Sequence, residues 1–129
     1  MSENELSIEL PMRPESAKRG RDALRRFCPP LEEAALSDAQ LLVSELFADV
    51  LVRDSDPELP PMRLNAELRD GYIHVSMLAD AAAFELDSRP SDPGEPGWGM
   101  HLIKLLAEAW GVQRHRGSAQ VWFRVPASA

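Results

Sequence analysis

The chain has 129 residues, 44% of them hydrophobic, and a formal net charge of −7. That length suits a single domain over residues 1–129 with a proper core, and the acidic balance argues against direct nucleic-acid binding, which needs clustered Lys and Arg. No apolar run approaches the ~18 residues that span a bilayer. The opening Met1-Ser2-Glu3-Asn4-Glu5 is acidic where a signal peptide is basic, so no membrane and a cytoplasmic protein are expected.

In chain order, Leu6, Ile8 and Leu10 alternate with Ser7 and Glu9, which predicts a short strand. Pro14 opens a helix whose modest apolar stripe is Ala17, Gly20, Leu24 and Phe27, and Pro29-Pro30 ends it. Cys28, just before that stop, is the single cysteine, which excludes an internal disulfide and a cysteine-rich zinc site. The same helix carries Lys18, Arg19, Arg21, Arg25 and Arg26, which read either as a solvated face or as a docking surface for an acidic partner. Ser37-Asp38-Ala39-Gln40 has the form of a capping box. It precedes a wide stripe of Leu42, Val43, Leu46, Phe47 and Val50, a helix ending near Arg53.

After the loop 54–61, two strands, Met62 to Leu68 and Tyr72 to Leu78, join across Asp70-Gly71, a strong hairpin signal. Residues 79–96 begin with small residues and close with Pro90, Pro93, Gly94 and Pro96, a composition that suits a mobile lid. A helix is predicted from Met100 to Trp110, followed by a turn and a strand, Ala119 to Val125. Trp110 and Trp122 sit in apolar patterns and are expected in the core, with Trp98 better placed for exposure and His74 on a strand's polar phase. His101 and His115 have no partner at metal-ligand spacing, and no Ser-His-Asp or Cys-His arrangement is visible. The order gives a layered α/β (α+β) domain, a largely antiparallel sheet with helices.

Two clusters carry chemistry. Glu45 and Asp49 lie one helical turn apart, and Gly97-Trp98-Gly99-Met100 places a Gly-x-Gly directly ahead of a helix, where backbone N–H groups face a ligand. Each also has a plain reading, as solvent-facing helix residues and as a structural turn. Together with Leu10-Pro11, Pro14-Glu15-Ser16, the run Leu36-Ser37-Asp38-Ala39-Gln40-Leu41-Leu42-Val43-Ser44-Glu45-Leu46 and Val121-Trp122-Phe123, they give the chain its resemblance to the anti-sigma-factor serine kinases of bacteria. These belong to the histidine kinase, gyrase and chaperone superfamily, with the Bergerat ATP-binding fold. The resemblance covers nearly the whole chain.

It implies a two-layer sandwich, a mostly antiparallel sheet covered by helices on one face, and a pocket for ATP or ADP with Mg²⁺. Glu45 stands at the family's general base. Asp49 stands where the family has a Mg²⁺-holding asparagine, and Arg53 stands where a histidine is often found, at i+4 from Asp49 and able to pair with it. The adenine-binding aspartate falls on Ala79, with Asp80 one place later. Asp80 serves only if a bulge shifts the strand, because successive side chains alternate faces. The glycines that follow become Ala81 and Ala83. Gly97 and Gly99 are kept as phosphate-facing backbone, and Trp98 replaces a residue that is basic in many relatives.

Two readings follow. One is an anti-sigma-factor-like binding protein with weakened or lost nucleotide binding, and the other is an active serine kinase that phosphorylates an anti-sigma antagonist. Either implies a sigma factor or an antagonist protein as partner, with a homodimer through the first strand and helix. Arg21 and Arg25 are the docking candidates.

Overall fold

The computed structural model describes residues 5–27, 31–53, 58–80 and 98–128, with the side chains of Val52, Arg53 and Asp80 outside that description. The elements are β1 (Glu5–Leu10), α1 (Ser16–Phe27), α2 (Glu33–Arg53), β2 (Met62–Arg69), β3 (Tyr72–Asp80), α3 (Trp98–Leu106), β4 (Ala109–His115) and β5 (Ser118–Pro126). The strands form one sheet in the order β1-β2-β3-β5-β4, and every pairing among the described residues is antiparallel.

Alternation divides that sheet into two faces. Leu10, Met62, Leu64, Ala66, Ile73, Val75, Met77, Ala119, Val121, Phe123 and Val125 are buried together with Leu24 of α1, Ile103 of α3 and the α2 stripe. The stripe itself, Leu42, Val43, Leu46, Phe47 and Val50, recurs at three and four residues as an amphipathic helix requires. Gly20 lets α1 lie close: a Cβ there would stand 3.3 Å from Val43 Cγ1 and 3.5 Å from Leu10 Cδ1. The opposite face of the sheet has no helix among the described residues packed on it. No described helix is long and apolar enough to cross a membrane.

Three local expectations are corrected. The helix α2 begins at Glu33, a turn ahead of the Ser37 capping box. Glu33, Ala34, Ala35 and Leu36 are sound helix formers, and Leu36 N–H already donates to Glu32 O at 3.0 Å, so the helix propagates upstream of the motif. Gln40, freed from capping, donates through Nε2 to Arg21 O at 3.0 Å and ties α2 to α1.

The second correction concerns Trp110, which is not on a helix. The helix α3 stops at Leu106, Ala107 N–H closes on Ile103 O, and Glu108 N–H donates across to Arg124 O, starting the pairing of β4 with β5. The β4–β5 turn is Arg116-Gly117, with φ of 39° and 83°, matching the positive pair at Asp70-Gly71 (54° and 81°). Both hairpins need left-handed backbone at two successive residues, but only Asp-Gly advertises it.

The third correction is Trp122. It sits on the face away from the helices, level with Ser76 of β3 and Gly111 of β4, and is half-buried there. Gly111 is what lets the indole lie down: a Cβ on residue 111 would meet Trp122 Nε1 at 2.5 Å.

Phe47 is fully buried at the centre of the α2 stripe. Phe47→Ala is expected to remove about 3–5 kcal/mol of stability. Urea denaturation should show a lower midpoint at unchanged slope if the fold is kept.

Candidate functional site

The site is built where α3 begins against the middle of α2. Asp49 is buried, with 7% of its surface exposed, and its Oδ2 accepts the backbone N–H of Gly99 at 2.8 Å. Gly99 is the second residue of a nine-residue helix, whose first N–H groups have no partner within the helix. A carboxylate at that end also meets the positive pole of the helix dipole. Asp49, fifty residues away in sequence, therefore caps α3 as a local N-cap residue would.

Gly99 is required for a second reason. A Cβ on it would lie 2.9 Å from the backbone C and O of Glu45 and from Leu46 Cα. The missing side chain lets α3 pack directly on the α2 backbone, which brings its N–H within reach of Asp49. Thus the structure joins Glu45, Asp49 and Gly99, as the resemblance implied, and gives Gly99 a packing role. Glu45 is half-buried. Trp98 is half-buried as the first residue of α3, with its ring 5.1 Å from the imidazole of His101 at 33° between planes.

The Gly99 amide is already taken by the Asp49 carboxylate. An incoming phosphate would meet a buried carboxylate already bonded to the N–H it needs, and two anions cannot share one donor without a counter-charge. Among the described residues no group of three or more His, Cys, Asp and Glu comes together to hold a metal ion.

On the adenine side, Ala79 pairs with Ala119 and is half-buried in the phase of Met77 and Val75. The β3–β5 register runs one-to-one to Asp80↔Ser118, so the bulge that a substitution by Asp80 requires is absent from the described ladder. Gly97 and the predicted lid at 81–96 lie outside the described residues, as do the side chains of Asp80 and Arg53.

The basic face of α1 is largely engaged. Arg21 donates through Nη1 to Ser44 Oγ at 3.0 Å, a half-buried strut between α1 and α2. Sequence reasoning did not single out Ser44; it stands one residue before Glu45 and carries no motif of its own. Arg25 pairs with Glu33 at 3.2 Å, with both side chains exposed. Lys18 bonds Asp22 at 2.9 Å, and this hydrogen bond holds the Asp22 carboxyl below its ordinary range. Lys18, Arg19 and Arg26 line a shallow depression with Glu15 and Asp22, so the exposed part of the face keeps a positive excess.

No family model matches the chain, and no curated protein matches it by sequence. Its structure is similar to that reported as "the RsbU and RsbW domains of Rv1364c from Mycobacterium tuberculosis". The TM-score is 0.73 at 15% identity, over 95% of this chain. The chain spans only 32% of that longer one. The likeness supports an RsbW-like α+β fold, in agreement with the sheet and helices described above.

Asp49→Ala leaves the Gly99 N–H unpaired and is expected to cost about 1–3 kcal/mol, with Asp49→Asn milder because an amide oxygen still accepts. Gly99→Ala is expected to cost about 1–3 kcal/mol as α3 is pushed off α2. Denaturant titration of the three variants tests the ranking; an Asp49→Ala variant as stable as the parent contradicts the capping role.

Proposed function

We propose that the chain is an anti-sigma-factor-like regulator that works by protein–protein binding in the bacterial cytoplasm, with nucleotide binding weakened or lost. The observation that carries this reading is the Asp49–Gly99 contact. In the resemblance, position 49 holds Mg²⁺ and the Gly-x-Gly backbone holds phosphate. In this chain the side chain at 49 bonds the second of those glycines directly. The start of α3 is held against α2 by an internal anion.

The fold likeness supports the class of work, and the chemistry of α1 supports the mode. The partner is a sigma factor, an antagonist of the phosphorylatable type, or both, and a homodimer through β1 and α1 suits the same class. Arg21 is tied to Ser44, so reversing its charge would disturb the α1–α2 contact as well as any docking. Arg25 is exposed and held only by a surface ion pair, which is worth little. It is the better test of the docking role.

The rival, a working serine kinase, keeps Glu45 as general base and asks Asp49 to turn from Gly99 to a metal. Calorimetric titration with ATP and ADP, with and without Mg²⁺, separates the two. The expected result is no saturable heat up to millimolar nucleotide; metal-dependent micromolar binding overturns the reading.

A second expectation concerns partners. Arg25→Glu should weaken binding to purified sigma factors or antagonists of the host about tenfold or more. Asp49→Ala, assayed well below its unfolding temperature, should leave that affinity within about twofold, because Asp49 is buried against α3 and is no part of the exposed face of α1. Surface plasmon resonance measures both, and the opposite pattern contradicts a binding role for α1.

A further inference from the structure

The face of the sheet away from the helices is uneven in a regular way. Ser7, Asn65, Ser76, Trp122 and Gly111 are successive partners across β1, β2, β3, β5 and β4. On the β1–β3 side of that row the side chains are short and floor a trough of about 780 Å³. On the other side the Trp122 indole lies over Gly111 and raises the surface. One half of the row is a hollow, and the other half is a flat aromatic step.

Charge is divided the same way. The next row runs Glu5, Glu67, His74, Arg124 and Ala109, with its carboxylates on β1 and β2 and its guanidinium on β5. Glu67 has Arg69 at 3.5 Å and Arg124 has Glu108, whereas Glu5 has no ion-pair partner among the described residues. In the row on the other side, Leu78 of β3 stands 39% exposed between Arg63 and Gln120.

A face with hollow and step at one level, and acid and base at another, is complementary to itself. A two-fold axis along β3 in the plane of contact keeps each row at its own level and reverses the order of the strands. It sets β2 of one copy over β5 of the other, and β1 over β4. Trp122 of each copy then enters the hollow at Asn65 and Ser7 of the other, and Arg124 meets Glu67 and Glu5. The two Leu78 side chains meet on the axis. Such reciprocity is what an isologous contact requires, and sheets do stack face to face about 10 Å apart.

Charge and area set its strength. A chain of net charge −7 repels its copy, but least across a face where Arg63 is paired with Glu9, Arg69 with Glu67 and Arg124 with Glu108. Five strands about 4.8 Å apart, each about seven residues long, offer roughly 500 Å² per copy. The pair buries about 1,000 Å², near the lower limit for a specific interface, so a dimer held this way is weak and concentration-dependent.

We propose that two copies of this chain associate through the open faces of their sheets, with Trp122 of each seated over Asn65 of the other. This face is opposite the helices, so the contact is separate from partner docking on α1, from the Asp49–Gly99 junction and from a homodimer through β1 and α1.

Sedimentation velocity of the full chain, over a concentration series into the high micromolar range, should show a reversible monomer–dimer equilibrium. Trp122→Ala should weaken it about tenfold or more, as loss of an anchoring tryptophan does. Asn65→Arg fills the hollow and leaves the indole in place, so it carries the test if Trp122→Ala does not fold, and it should weaken the dimer as well. Leu105→Ser removes the most exposed large apolar side chain of the helix side, at 66%, and should leave the dimer unchanged. Gln113 is exposed on β4, at the opposite edge of the sheet from β1. In a Cys28→Ser background, a nitroxide on Gln113→Cys of one copy should therefore broaden the β1 amides of a second, ¹⁵N-labelled copy. The proposal is overturned by a chain that stays monomeric, by a dimer indifferent to both Trp122→Ala and Asn65→Arg, or by one that Leu105→Ser abolishes. A dimer in which the nitroxide leaves β1 sharp places the contact elsewhere and overturns it too.

Discussion

A single buried contact organises the junction of α2 and α3: the Asp49 carboxylate against the amide of Gly99. A carboxylate that is 7% exposed has surrendered most of its hydration, a cost of several kcal/mol unless something replaces the water. Part of the replacement is a charge-assisted hydrogen bond of 2.8 Å at the positive end of a helix. That bond exists only because residue 99 lacks a Cβ and α3 can rest on the Glu45 and Leu46 backbone. Packing and electrostatics are one constraint here, since loss of either the glycine or the carboxylate undoes both.

The rest of the fold divides around the sheet. On one side the α2 stripe, Leu24, Ile103 and the inward strand residues form a continuous apolar core. On the other, the strands show polar rows in which Arg63 is matched to Glu9, Arg69 to Glu67 and Arg124 to Glu108. Such exposed pairs add little stability. Their consequence is a face with little unmatched charge among these residues, in which Trp122 and a His74 nitrogen with no hydrogen-bond partner among the described residues stand out.

Much of the fold was legible where the residue pattern has one structural solution. The β1 alternation, the α2 stripe and the Asp70-Gly71 hairpin all appear where expected. What failed had two solutions. Ser37-x-x-Gln40 suits a helix interior as well as a start, and good helix formers upstream decided it. The segment after Leu106 mixes Trp110, Gly111 and Val112, and pairing with β5 chose strand over helix. Trp122 looked like core because its neighbours Val121 and Phe123 are apolar; only the strand phase puts it on the other face.

Three residues of the candidate site were legible in position. The resemblance brought Glu45, Asp49 and Gly99 together across fifty residues, and the fold places them in contact. The resemblance implied a ligand role for them, and the structure adds a bond from position 49 to the helix itself. An asparagine oxygen could accept the same N–H, so what the aspartate adds at position 49 is charge and not the bond itself. An asparagine brings no charge to the end of α3. An aspartate brings a full negative charge, which the helix pole attracts and which repels any second anion arriving there.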